Sequence, residues 1–414
     1  MPAAPGVGVG LTRPLWALSL SQLPASLYEE VRGVVTPALL LGHSGSGSRA
    51  ALGLAHLYLL ELLLASAMAR LCSARQALSL GRLLLLAGVL NLAGLALMVL
   101  SLGDAAPALP AYVCGHVVYA LGGTIRDSAF PVLATCFQDE QMARLNAHRH
   151  VLMHTGALLG GGLIAIGMTR SYLILQVVAM AVSLGLLARA IPCLDALDCG
   201  RVDRALAIKP AVGKFGLLVA ARFFQSWGFV STSGAVMLVF LRARIPAARS
   251  GGAAAAGLLA SAGTAGHCAG LFVNLALGRR RAGYGAGLLL LAAAGQVLAL
   301  LLHSEAVGAP GHFLAATLLL RGARTLGKAS SDALALRAAR PLGAGKAAAL
   351  VARRAAFKVG QLVGRYSVIP LLALDGEESS FRMVFASGAA ASLIAAALHL
   401  CALHPAREVR SILP

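Results

Sequence analysis

The chain has 414 residues, of which 58% are hydrophobic and only 12% are charged. A soluble domain carries about 25% charged residues, so this composition excludes an ordinary soluble enzyme, a disordered chain and a disulfide-rich scaffold. The net charge of +19 is unusual for so apolar a chain, and it must be assigned to particular segments before it can be interpreted.

Apolar stretches recur along the whole chain, separated by short segments rich in Gly, Pro and charged residues. A helix needs about 20 apolar residues to cross a bilayer. The composition therefore predicts an all-α polytopic membrane protein whose surroundings are the lipid bilayer. We predict twelve transmembrane helices, called spans 1 to 12 here, at residues 15–41, 50–70, 80–102, 108–136, 145–168, 171–191, 215–241, 252–277, 284–303, 311–336, 346–374 and 381–403.

The basic residues are distributed unevenly over the connections between the spans. If the N-terminus is cytoplasmic, most of the 35 Lys and Arg residues lie in connections on the cytoplasmic side, where membrane proteins carry such an excess. We therefore expect a multi-pass integral membrane protein with both termini in the cytoplasm. Nucleic acid is not an expected partner, because no soluble segment carries a basic stripe with interleaved aromatic residues.

The middle of the chain contains the longest polar connection, which separates span 6 from span 7. We predict an N-terminal six-helix bundle at residues 1–191, a cytoplasmic linker at 192–214 and a C-terminal six-helix bundle at 215–414. An internal repeat supports this division, because residues 154–160 match residues 358–364, including two glycines spaced four apart. Parallel repeats of six spans are typical of one large class of transporters.

Spans 4 and 5 and the loop between them carry four consecutive motifs, at Gly122–Asp127, Phe130–Ala134, Gln138–Arg144 and Gly156–Gly162. An Arg in span 4, an acidic-to-basic inner loop and a Gly-rich span 5 in this order resemble the major facilitator superfamily, and the likeness extends over nearly the whole chain. The resemblance implies a monomeric secondary transporter of a small solute, without a cofactor. Its two bundles would rock to expose a binding site alternately to each side of the membrane.

Acidic residues inside the spans are candidates for proton coupling. A carboxylate in hydrocarbon is costly and by default faces a partner or a water-filled path, and a desolvated carboxyl can load and release a proton near neutral pH. The candidates are Glu29 and Glu30 in span 1, Glu61 in span 2 and Asp127 in span 4. A structural ion pair with a neighbouring helix is the alternative for each of them.

Basic residues outnumber acidic residues within the spans. Arg321, Arg324 and Lys328 share one face of span 10, and Lys358, Gln361 and Arg365 share one face of span 11. This surplus favours an anionic solute, organic or inorganic, unless several of these side chains reach the membrane surface. The resemblance places the solute among spans 1, 4, 7 and 10. The candidate solute-binding residues are Arg126, Arg321, Arg324, Lys358 and Gln225.

Enzymatic activity is not expected, because the sequence shows no catalytic triad and no nucleotide-binding motif. The seven cysteines form no CxxC pair, so no metal site is predicted either. An alternative to transport is a membrane protein with a transporter-like fold that serves as a receptor, an assembly factor or a lipid-handling scaffold.

Overall fold

The computed structural model of the chain describes residues 35–74, 80–103, 108–136, 155–195 without 157, 165 and 167, 213–230, 234–244, 252–278, 285–305, 310–339, 346–373 and 378–403. All regular secondary structure in these ranges is helical. The helices are α1 Thr36–Ser44, α2 Gly47–Ala74, α3 Leu80–Ser101, α4 Leu109–Cys136, α5 Thr169–Asp195, α6 Lys214–Val230, α7 Gly234–Arg244, α8 Gly252–Gly278, α9 Gly285–Glu305, α10 Pro310–Ala339, α11 Lys346–Ala373 and α12 Glu378–Leu403.

Most of these helices coincide with the predicted spans to within a few residues. Span 7 corresponds to two helices, α6 and α7, and in span 5 residues 158–164 are helical. Helix α1 ends at Gly45, which adopts a φ of 65° and donates its backbone N–H to the carbonyl of Leu41 at 3.0 Å. Glycine adopts this left-handed conformation without a steric penalty, so α2 can begin two residues later.

The helix surfaces are apolar where a soluble protein would be polar. Leu100 is 77% exposed and Phe272 is 73% exposed. Of the described helices, three are long and apolar enough to cross a membrane, over Gly81–Ser101, Thr169–Pro192 and Phe381–Leu403. Exposed apolar side chains on such helices are stable in contact with lipid.

The chain forms two compact units. The first contains Met1–Val202 and Gly234–Thr264, and the second contains Asp203–Ser233 and Ala265–Pro414. Residues 234–264, which the sequence analysis assigns to the C-terminal bundle, are thus in the first unit, where α7 packs on α1 and α2. The predicted bundle boundaries themselves stay a prediction.

In the first unit, α3 packs against both α4 and α5. Its core is built around Leu95, Met98, Tyr112 and Tyr172, all completely buried or nearly so. Backbones of α3 and α4 approach closely at Gly94, because a Cβ atom there would lie 2.5 Å from the backbone nitrogen of Tyr119. Such small-residue contacts replace the hydrophobic driving force that helices lack inside a bilayer.

Gly94→Ala is expected to lower the free energy of unfolding, by about 1–3 kcal/mol, because the new methyl group would meet backbone atoms that cannot move independently. Gly185→Ala on α5 is the matched control. A Cβ at Gly185 would have nothing within 4 Å, so this change should stabilise the protein by about 1 kcal/mol. Denaturant unfolding of the two purified variants in detergent measures both values, and equal signs would contradict the packing described for Gly94.

In the second unit, α6 packs against α11 and α12, and α9 packs against α10 and α12. Phe215 and Leu218 of α6 and alanines of α10, α11 and α12 form one apolar cluster. The repeated glycines of span 11 lie at close helix contacts: Gly364 faces Trp227 and Gly360 faces Ser226 and Phe223, all on α6. These contacts fix which side of α6 faces α11.

Candidate functional site

Glu61 and His116 form a buried pair in the first unit. The Nε2 atom of His116 on α4 lies 3.1 Å from the Oε1 atom of Glu61 on α2, and the side chains are 2% and 8% exposed. Glu61, one of the sequence candidates for proton coupling, is thereby paired with a histidine. The arrangement can hold one proton between a carboxyl and an imidazole.

Arg126 lies on another side of α4. Gly115, Tyr119, Gly122 and Arg126 follow one another at spacings of four, three and four residues, so they form one stripe along the helix. The glycines of this stripe face α3. Arg126 itself lines a small cavity together with residues of α3 and α5. The structure therefore does not bring Arg126 to Glu61 as a structural ion pair.

Arg324 is a buried cation on α10, in the second unit. It is 7% exposed, its Nη2 atom donates to the carbonyl of Gly228 on α6 at 2.7 Å, and its guanidinium lies 4.6 Å from the ring centre of Phe229. Arg321 approaches the same ring at 5.3 Å. The Nη1 atom of Arg324 is buried and has no hydrogen-bond partner among the described residues, so this atom can still donate a hydrogen bond to an anionic ligand.

Arg222 and Gln225 form a second polar pair on α6. Arg222 is 7% exposed, donates from Nη1 to the Oε1 atom of Gln225 at 2.7 Å and lies 4.5 Å from the ring centre of Phe357 on α11. Its guanidinium therefore lies inside the unit. Lys358, the neighbour of Phe357, is half-buried on α11.

A network of side-chain hydrogen bonds joins three helices of the second unit. Arg353 on α11 donates to Asp332 at 2.6 Å and to Ser331 at 2.7 Å, both on α10. The Oγ atom of Ser331 lies 2.7 Å from Nε2 of His399 on α12. Because every link is short and three helices take part, the network fixes the relative positions of α10, α11 and α12.

Arg353→Met is expected to lower the free energy of unfolding by about 1–3 kcal/mol, because Asp332 and Ser331 lose their shared donor. Arg354→Met is the control, since it removes the same charge from the next position, where the side chain is only half-buried. Denaturant unfolding in detergent compares the two. Equal losses in the free energy of unfolding would show that the network adds no stability beyond the effect of the net charge.

The structure does not test three of the predicted site residues. Glu29 and Glu30 fall outside the described residues, and Asp127 is in α4 but its side chain is not described. Sequence reasoning missed Phe229 as a partner of the α10 cations. A signal was present, because Arg222, Gln225 and Phe229 recur at spacings of three and four along one helix.

No protein-family model and no curated protein matches the sequence, but solved structures match nearly all of the chain. A bacterial homologue of the iron transporter ferroportin, outward-facing with soaked iron, is 16% identical with a TM-score of 0.66, over 95% of this chain and 99% of its own. The peptide transporter POT in complex with sulfate is 13% identical with a TM-score of 0.64, over 95% of each chain.

The nucleoside transporter NupG is 11% identical with a TM-score of 0.65, over 95% of this chain and all of its own. These neighbours are transporters, and identities this low establish the fold alone. The predicted fold class is confirmed: the chain shares the all-α fold of these solved transporters, which is the fold that the resemblance implies.

Proposed function

We propose that the chain is a secondary transporter that moves a small solute across a membrane by alternating access. The observation that carries this proposal is the burial of ionisable side chains inside otherwise apolar helices, with Glu61, Arg222 and Arg324 each only 7% exposed. Such groups cost several kcal/mol in hydrocarbon and would not improve a purely structural bundle. The fold shared with solved transporters supports the same conclusion.

The proposed solute is an anion, bound in the second unit. Arg321 and Arg324 flank the ring of Phe229, and Asp332, the acidic residue on the same helix, already accepts a hydrogen bond from Arg353. A guanidinium donor fork matches the oxygens of a carboxylate or phosphate. Gln225 and Lys358, on the adjoining helices α6 and α11, are proposed as further polar contacts.

Proton coupling is proposed to use the Glu61–His116 pair. A proton entering or leaving this pair changes the charge of a buried site by one unit, and that change can bias two conformations of the first unit. Glu29, Glu30 and Asp127 remain further candidates. The proposal includes two bundles at 1–191 and 215–414, a monomeric chain and cytoplasmic termini.

The experiment is a ligand screen followed by a flux assay. Thermal unfolding of the purified protein is measured with panels of organic and inorganic anions, cations and sugars, and the stabilising solutes are tested for uptake into proteoliposomes with and without an imposed proton gradient. We expect an anion to stabilise the protein and to accumulate when the gradient is present. Stabilisation by cations or sugars only would contradict the anion assignment.

Absence of any stabilising solute, together with a stable protein partner recovered from cells, would contradict transport itself. It would favour the transporter-like receptor or assembly factor instead. Gradient-independent uptake would leave transport standing and contradict only proton coupling.

A further inference from the structure

We propose that Gln296 on α9 is a further residue of the anion site in the second unit, and that its amide makes this site prefer an oxyanion to a halide. The inference rests on the proposed anion site at Arg321 and Arg324. It adds one residue to that site, and it narrows the class of solute to carboxylates, phosphates and related anions with several oxygens.

Gln296 lies inside the unit, close to the turn of α10 that carries Arg324. A Cβ atom at Gly295 of α9 would lie 3.0 Å from the Cβ of Ala323 on α10, so α9 and α10 are in close contact at this level. Gln296 is only 5% exposed. Its amide is therefore a buried polar group beside the cation of the proposed site.

Ser392 on α12 connects the Gln296 amide with the backbone group that holds Arg324. The Oγ atom of Ser392 lies 3.0 Å from Oε1 of Gln296, and it would lie 2.9 Å from a Cβ atom at Gly228 on α6. The carbonyl of Gly228 accepts the hydrogen bond from Nη2 of Arg324. Polar side chains of α9, α10 and α12 thus meet at one point of α6.

The NH2 ends of two amides lie around Gly327 on α10. A Cβ atom at Gly327 would lie 3.4 Å from Nε2 of Gln296 and 3.5 Å from Nε2 of Gln225. The two nitrogens are therefore close enough to bond two oxygens of one anion. The oxygen atoms of both amides are already in contact with other side chains, Ser392 and Arg222, so each amide keeps its donor end for a ligand.

Arg324 presents the edge of its guanidinium and not its face. The ring of Phe229 covers one face at 4.6 Å, Nη2 bonds to Gly228, and the buried Nη1 atom has no hydrogen-bond partner among the described residues. The N–H groups at such an edge match the oxygens of a carboxylate or phosphate. A halide is a single atom, whereas an oxyanion distributes its acceptors over donors that stand apart.

Gln296 can be replaced without leaving Ser392 unsatisfied. The Oγ atom of Ser392 also donates to the carbonyl of Gly388 at 2.9 Å, so this hydroxyl keeps an acceptor after the change Gln296→Met. The new side chain has nearly the same volume, and such swaps are tolerated best in a packed interior. Gln296→Met should therefore fold and lose only the amide donor.

The test measures thermal unfolding of the full-length protein in detergent with sodium formate, sodium phosphate or sodium chloride at one ionic strength. We expect formate or phosphate to raise the midpoint by about 2–4 °C more than chloride does. Phosphate also stabilises proteins without binding to a site, so the decisive quantity is the change in this difference between variants. Gln296→Met should remove the specific part of the difference.

Gln176→Met is the matched control, because it replaces a completely buried glutamine of the first unit and should keep the full difference. Gln296→Glu, which keeps an acceptor for Ser392 but adds a negative charge, should also abolish oxyanion stabilisation and serves if Gln296→Met does not fold. Equal shifts with all three salts, or an undiminished oxyanion preference in a folded Gln296 variant, would overturn the inference and leave the anion site standing. Salt effects that Arg324→Met does not reduce would overturn the anion site itself.

Discussion

His116→Leu is expected to reduce the free energy of unfolding by about 3–5 kcal/mol, whereas Glu61 and His116 replaced together by Leu should recover most of that loss. The single change leaves the carboxyl of Glu61, which is 7% exposed, without its partner at 3.1 Å. The double change removes both polar groups and fills the space with apolar atoms. Denaturant unfolding in detergent of the unaltered protein, both single variants and the double variant gives the coupling energy.

The double variant also separates folding from function. If the pair carries the coupling proton, this folded protein should still exchange labelled solute across proteoliposome membranes but should no longer accumulate it from a proton gradient. Glu61→Gln is the conservative control, since it keeps the shape and a hydrogen bond to His116 without a titratable group. Gradient-driven accumulation in the double variant, or additive single losses, would show that the pair is neither a proton carrier nor a coupled unit.

The fold was predictable because a bilayer imposes a simple rule. Every spanning segment must satisfy its backbone internally and present apolar side chains, so span boundaries can be located from hydropathy without knowing any contact. The division of span 7 into α6 and α7 was not predictable on this basis, because both helices are apolar. Residues 234–244 pack on α1 and α2, which depends on tertiary contacts that a local pattern does not contain.

The sequence indicated which residues belong to the candidate site but not which residues they bond. The spacing of Lys328 and Asp332 on one helix suggests an ion pair, yet Asp332 accepts its short hydrogen bond from Arg353 on α11. Arg222 is one of the basic side chains for which the membrane surface was the alternative, and it donates to Gln225 within the unit. Helical spacing gives the face of one helix, whereas these partners are decided by which helix lies opposite.

Glycines marked the close contacts correctly. Gly360 and Gly364 belong to the internal repeat seen in the sequence, and both residues face α6. A residue without a side chain has few reasons to recur at a spacing of four in a membrane helix except close approach. Residue spacing does not predict the surroundings of Arg126 in the same way. A cationic side chain can be paired or solvated in several ways, and the sequence does not favour one of them.

Arg324→Met is expected to weaken anion binding by about 10- to 100-fold while leaving the free energy of unfolding unchanged or higher. Arg324 is 7% exposed, and its Nη1 atom has no partner in the described part of the chain. Its burial is therefore a net cost to the folded state, since it opposes a large desolvation penalty with one hydrogen bond to Gly228 and one aromatic contact. Apolar replacements of such buried ions are often neutral or stabilising.

Opposite signs for stability and binding distinguish a functional cation from a structural one. If Arg324 were structural, its replacement by Met would lower both the free energy of unfolding and the affinity for the anion. If Arg324 binds the ligand, the replacement should lower the affinity alone. Arg324→Lys keeps the charge but not the two-pronged donor geometry, so its affinity for the anion should lie between those of the unaltered protein and of Arg324→Met. Lys214→Met removes an exposed charge from the start of α6 and controls for the net charge of the unit. Unchanged anion affinity in Arg324→Met would exclude this residue from the proposed site, and the cation-lined face of α10 would then need another explanation.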